Sequence, residues 1–208
     1  MSKNKIIIKE NLHIIEETTT YGIIGGCNKE AVKWFYAAKE NFKSAQILFD
    51  NQQFAHCIFF LQQCIECLTK GILVECDVVV EPRNLSHHPE EAFLKLYEKM
   101  NDELNIRNCN VVLTAIEKRN ANSFEEKLPI IAEITNDATK QYSNNILSTT
   151  LIVQRNATYS YVNTQLFCLA ILFRGTEDSS RYPSSNKSPF DLYGTDIIKN
   201  AIPSLEFM

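Results

Sequence analysis

The sequence predicts an all-α fold, an antiparallel bundle of up-and-down helices behind an N-terminal arm that is extended or forms a short β element. Two observations carry the bundle. Apolar residues recur at alternating steps of three and four along two neighbouring segments, the spacing that lines up one face of a helix. Only a short link separates these segments, so the two helices must fold back on each other. A third observation sets the scale: 208 residues with 45% hydrophobic and 22% charged content can bury a core of ordinary globular kind.

The arm, residues 1–27, holds KIIIKENLHII, whose apolar–polar alternation is loose, and then the β-prone Thr18, Thr19 and Thr20. Gly22, Gly25 and Gly26 read as breaks in any regular element. The main domain, residues 28–208, opens at Asn28, a good helix cap, with Glu30 in the first turn where the helix dipole favours an anion. Ala31, Phe35, Ala38, Phe42, Ala45 and Phe49 form one apolar stripe, which stops near Asp50 and Asn51. The second helix repeats the spacing with Phe54, Cys57, Leu61, Cys64, Leu68 and Gly71, and Ile58, Ile65 and Ile72 widen its buried face. Small residues (Ala38 and Ala45 on one helix, Cys57 and Cys64 on the other) allow close approach.

A connector over residues 77–90 contains Pro82 and Pro89. Helical pattern resumes at Glu90 with Ala92, Phe93, Leu96 and Tyr97, and again from Val111 to Lys118. Pro129 suits the first turn of another helix running through Ala138. One long helix is expected from about Tyr142 to Phe173. The chain turns polar after Gly175, and DLYGTDIIKNAIPSLEF closes it as a last amphipathic piece.

Composition excludes several classes of function. A net charge of −4 argues against a mainly electrostatic grip on duplex DNA, which needs a basic surface. The start, MSKNKIIIKE, is not a secretory signal, and the run Phe167 to Phe173 is too short to span a bilayer, so a cytoplasmic protein off the membrane is expected. Seven cysteines, an odd number, show no framework spacing and read as small buried hydrophobes; the CxxC at Cys64 and Cys67 lies in a helix with no second pair nearby. Four histidines without a cluster at ligand spacing predict no metal site, and GIIGG lacks the lysine of a phosphate loop, so no cofactor is expected.

The stretch WFYAAKENFKSAQILFDNQQFAHCIFF followed by LQQCIECLTKGILVE resembles the opening hairpin of HEPN (higher eukaryotes and prokaryotes nucleotide-binding) domains. Gln62, Gln63, Glu66 and Lys70 match the second helix of that family, His88 (less well His87) its helix-opening histidine, and Arg181-Tyr182-Pro183 the triplet before its final helix. The match covers about residues 28–90 and 179–208, leaving inserted helices at about 90–175. The resemblance implies a helical domain that binds a nucleotide or RNA, of toxin type or associated with a nucleotidyltransferase partner, and that forms a homodimer. It points to Glu66, Lys70, Arg181 and Tyr182 as ligand-binding residues. The residues also allow a plain reading: Glu66 and Lys70 as a helix-surface ion pair, Arg181 and Tyr182 as a loop anchor.

HEPN ribonucleases use an arginine followed by a polar residue and, four to six positions on, a histidine. RNLSHH satisfies this with Arg83, Asn84 and His88, which are the candidate catalytic pair of a metal-independent ribonuclease. The chemistry is apt, since histidine moves protons at neutral pH and arginine presents a planar fork to phosphate oxygens. The motif lies in the connector, however, whereas the ribonucleases place it on a late core helix. Arg155-Asn156 lies in the expected late helix but has no histidine within reach. The alternative is a helical scaffold or protein-interaction module without catalysis; the absence of a second copy of the hairpin counts against a repeat solenoid.

Overall fold

The computed structural model describes residues 3–26, 28–79, 87–147, 150–181 and 188–193, and these form nine helical segments and no strand. They run α1 (Lys3–Gly25), α2 (Lys29–Asp50), α3 (Phe54–Glu75), α4 (Pro89–Lys99), α5 (Glu103–Lys118), α6 (Phe124–Ile146) and α7 (Leu151–Phe173), with single turns α8 (Thr176–Ser179) and α9 (Pro189–Leu192). Most of the closing segment, DLYGTDIIKNAIPSLEF, lies outside the described residues.

α2 and α3 make the expected hairpin. The whole α2 stripe, Ala31 to Phe49, is buried. Asn28 starts α2 by accepting from the Glu30 and Ala31 amides, and its own amide donates to Glu75 Oε2 at 3.1 Å. The first residue before α2 is thereby tied to the last of α3, as antiparallel helices require. The three-residue link carries Gln52 at φ 60° and closes with Gln53 N donating to Leu48 O at 2.8 Å.

α3 is the most enclosed helix. It is long and apolar enough by length and composition to cross a bilayer, but α1, α2, α4 and α7 pack around it. α7 is divided along its length rather than around its girth: Asn163 to Phe173 are buried on every side, whereas Leu151 to Tyr159 are mostly exposed. Phe93 of α4 meets Phe167 of α7 edge-on with ring centroids 6.3 Å apart, and the buried Tyr97 hydroxyl donates to Asn163 Oδ1 at 3.1 Å. Cys57 and Cys64 of α3, Cys109 of α5 and Cys168 of α7 are buried thiols in this core.

Three expectations are corrected. The arm is helical, not extended or β. Ile14, Ile15 and Thr19 of α1 are buried against the bundle, and burial on helical spacing outweighs the β propensity of the threonines. Gly22 does not break this helix; it admits the Phe35 ring of α2, and a Cβ there would lie 2.6 Å from Phe35 Cδ2. Pro129 does not open its helix. Ser123 does, through a capping box in which Ser123 Oγ accepts from the Glu126 amide and Glu126 Oε2 accepts from the Ser123 amide. The long helix from Tyr142 is two helices, because α6 ends at Ile146 and α7 begins at Leu151.

Phe35 is pinned from both sides. Gly71 of α3 lies opposite Gly22, and a Cβ at Gly71 would fall 2.8 Å from Phe35 Cε1. Gly71→Ala should therefore lower Tm, because overpacking costs about 1–3 kcal/mol against the roughly 1 kcal/mol that alanine adds to helix propensity. The same substitution in a Phe35→Leu background should cost less, measured as a double-mutant cycle by thermal denaturation.

Candidate functional site

Phe59, Gln63, Glu66 and Lys70 follow one another on α3 at steps of four, three and four, so they share one face of the helix. Lys70 Nζ donates to Glu66 Oε1 at 2.6 Å, and each side chain is only 7% exposed. The reading of these two as a surface ion pair is thus corrected. The indole of Trp34, on α2, lies against Lys70 with Nζ 5.4 Å from the ring centroid. Removing either charge from such a pair costs about 3–5 kcal/mol, because the other is left buried and uncompensated.

His87 completes the group. Its Nδ1 lies 3.1 Å from both Glu66 carboxylate oxygens. A carboxylate only accepts, so Nδ1 carries the proton and Nε2 is left for another partner. The His87 side chain is 74% exposed, so a buried pair holds an accessible imidazole in a fixed orientation. Gln63 Nε2 donates to Gln62 Oε1 at 2.6 Å and lies 3.5 Å from Glu66 Oε2. Farther along the same face, the exposed Arg181 guanidinium sits 5.1 Å from the centroid of the Phe59 ring. Seven residues of helix, about 10 Å of rise, separate Phe59 from Glu66.

His88 looks elsewhere. It caps α4 without a side-chain cap bond, and its Nδ1 is 3.7 Å from Oε1 of Glu90, one residue into α4 beyond Pro89. Arg174, at the end of α7, places Nε 3.1 Å from the same oxygen. Glu90 is 3% exposed at its side chain, and neither contact has hydrogen-bond geometry, so both its oxygens lack a hydrogen bond among the described residues. Burial pushes the Glu90 carboxyl above the usual carboxylate range, with its own backbone amide first, then Arg174 and His88, pulling the other way.

Of the expected site residues, Glu66, Lys70 and Arg181 are thus brought onto one face of α3, and His88 belongs to a neighbouring cluster. Arg83 and Tyr182 lie outside the described residues. Trp34, Glu90 and Arg174 are not legible as site residues in the sequence: Trp34 lies within the family segment, Glu90 starts a helical pattern, and no local pattern marks Arg174. His87, the less favoured of the two histidines, is the one on Glu66. Among the described residues no three His, Cys, Asp or Glu side chains gather closely enough to hold a metal ion.

This is a helical bundle that buries charge on its central helix to present an imidazole and a guanidinium at its surface. Residues 31–141, more than half of the chain, match the family model described as HEPN domain. The chain belongs to the HEPN family, whose function is nucleotide- or RNA-related. The matched residues run from α2 through most of α6, taking in the part of the expected insertion that precedes residue 142. Comparison with curated proteins and with solved structures finds no match.

The raised Glu90 carboxyl gives a stability effect with a definite sign. The folded chain holds this proton more tightly than the unfolded chain does, so Glu90 costs stability increasingly as pH rises above the ordinary carboxylate pKa. Glu90→Gln removes that titration. The Tm of the variant minus that of the wild type should become more positive from about pH 4 to about pH 7, by differential scanning calorimetry. A pH-independent difference would contradict it.

Proposed function

We propose that this chain binds a nucleotide or single-stranded RNA along the α3 face that runs from Phe59 to Lys70. The observation that carries the reading is the buried Glu66–Lys70 pair gripping an exposed His87. A buried ion pair is a poor source of stability, since desolvation offsets its attraction. What it does supply is a fixed imidazole. As an imidazolium His87 donates from Nε2 to a phosphate oxygen while Nδ1 stays on Glu66, the Arg181 guanidinium suits the same oxygens, and Phe59 and Trp34 offer rings against which a base stacks. A chain with net charge −4 needs such a local, shaped contact, because its overall field repels polyanions.

Family membership supports the nucleotide or RNA class of ligand. A toxin-type role, a nucleotidyltransferase partner, a cytoplasmic location and a homodimer are finer parts of the same proposal. So is metal-independent RNA cleavage by His88 with Arg83, for which the expected outcome is cleavage that persists in EDTA and is lost in His88→Ala. A scaffold role is favoured by one observation of its own: Leu147 at the end of α6 and Leu151 and Ile152 at the start of α7 are exposed apolar side chains.

The binding reading is checked by fluorescence anisotropy with a labelled single-stranded RNA and with a labelled nucleoside monophosphate. His87→Ala should weaken binding about ten-fold, the loss of one charge-assisted hydrogen bond. Arg181→Ala should weaken RNA binding and lower the salt slope by about 1. Unchanged affinity in both variants would sink the proposal and leave the scaffold reading standing.

A further inference from the structure

We propose that Arg174 and His88, held by Glu90, form a second binding site that takes the phosphate of a nucleotide. It is distinct from the α3 face and rests on the nucleotide-or-RNA reading only for the source of the phosphate.

Glu90 is the observation that calls for an explanation. A carboxylate buried to this degree normally finds well-aligned hydrogen-bond donors, and among the described residues Glu90 has only its own backbone amide and two imperfectly aligned side chains nearby. Its two companions are both cations or potential cations from other parts of the chain. Arg174 Nε stands at 3.1 Å and His88 Nδ1 at 3.7 Å from the same oxygen. Glu90 therefore faces the inner edge of each group. The outer parts, the two Nη groups of Arg174 and Nε2 of His88, belong to side chains that are 51% and 42% exposed. Two donors backed by one buried anion and open to solvent suit a tetrahedral oxyanion.

The surroundings agree in charge and shape. Lys127 of α6 donates to the Arg174 carbonyl at 2.8 Å, which fixes the end of α7. His88 is the N-terminal cap of the 11-residue α4, whose dipole adds positive potential at its start. Against these stand Glu90 itself and the exposed Glu91. Arg174 also lines a cleft of about 290 Å³ shared with Phe124, Thr176, Ser179 and Tyr193. That volume is near the lower end for ligand pockets, enough for a sugar or a base beside the aromatic pair Phe124–Tyr193. Glu125 lines the same cleft, and its carboxylate disfavours further phosphates beyond the first. The occupant is thus a single phosphate carried by a nucleoside, either free or as part of RNA.

The two sources are separated by titrating the full chain, ¹³C-labelled at histidine, with three probes followed by NMR and calorimetry. The probes are inorganic phosphate, a nucleoside monophosphate, and a short single-stranded RNA without terminal phosphates. The monophosphate should move the His88 ring signals, and Arg174→Gln should weaken its binding about ten-fold at a temperature well below the lowered Tm that follows from leaving Glu90 without its counter-charge. Arg174→Lys should recover only part of the loss, since a lysine cannot present the fork. Glu90→Gln should weaken monophosphate binding and shift His88 signals in the free protein; a residue that merely fills the core would move Tm and leave the affinity alone. RNA binding through Arg174 with no monophosphate binding assigns the phosphate to the RNA backbone. Binding that is lost in His87→Ala but intact in Arg174→Gln overturns this site and spares the α3 face. Failure of the wild type to bind any probe overturns both.

Discussion

The ring of Phe35, held between Gly22 and Gly71, sets the mutual approach of α1, α2 and α3, and the candidate site inherits its register from that contact. Gly71 follows Lys70 on α3, and Phe35 follows Trp34 on α2. When the Phe35 ring lies against Gly71, the preceding pair, Trp34 and Lys70, is brought together as well. Lys70 is then enclosed, Glu66 one turn earlier becomes its counter-charge, and His87 is drawn to the carboxylate. A single steric fit between a large ring and two missing Cβ atoms thereby places a charged group in the core. Close packing makes the fit all-or-none, because a ring enclosed on both sides has no room to adjust by small amounts.

His87 and His88 are neighbours in the chain and are docked on carboxylates of different helices, Glu66 on α3 and Glu90 on α4. Each carboxylate also meets a cation, Lys70 of α3 in one case and Arg174 at the end of α7 in the other. The step from connector to α4 is thus fastened at two points by one dipeptide. Pro89 contributes by fixing the first helical φ, so His88 is directed by the helix start as much as by its own contacts. The arrangement joins the α3 face to the end of α7 without any long-range covalent link.

What was legible in the sequence depended on whether the signal was radial or axial. α2 could be read residue by residue because its buried and exposed faces alternate around the helix, and the six stripe residues are the six buried ones. α7 could not, because its polarity changes along the axis and no periodicity records that. Its separation from α6 is marked only by Ser148, Thr149 and Thr150, poor helix formers with no glycine or proline among them. In α1 the glycines read as breaks because a sequence does not show which ring a missing Cβ makes room for. The site followed the same rule. Glu66 and Lys70 were visible as a pair from their spacing, but not their burial, which comes from Trp34 and His87. Glu90 and Arg174 meet only through the packing of α4 on α7, and no local pattern links them.

The buried thiols described for the core have a use of their own. Burial pushes Cys57, with help from nearby Asp50, and Cys109, with help from Asp102, up to about 12, and raises Cys64 and Cys168 as well. At neutral pH these sulfurs carry almost no thiolate, and the thiolate is the species that alkylating reagents attack. Each of them therefore becomes reactive only when its own helix opens. The chain thus carries an unengineered set of clocks, two on α3 and one each on α5 and α7, whose separate rates would resolve which helices leave the bundle together and which leave alone.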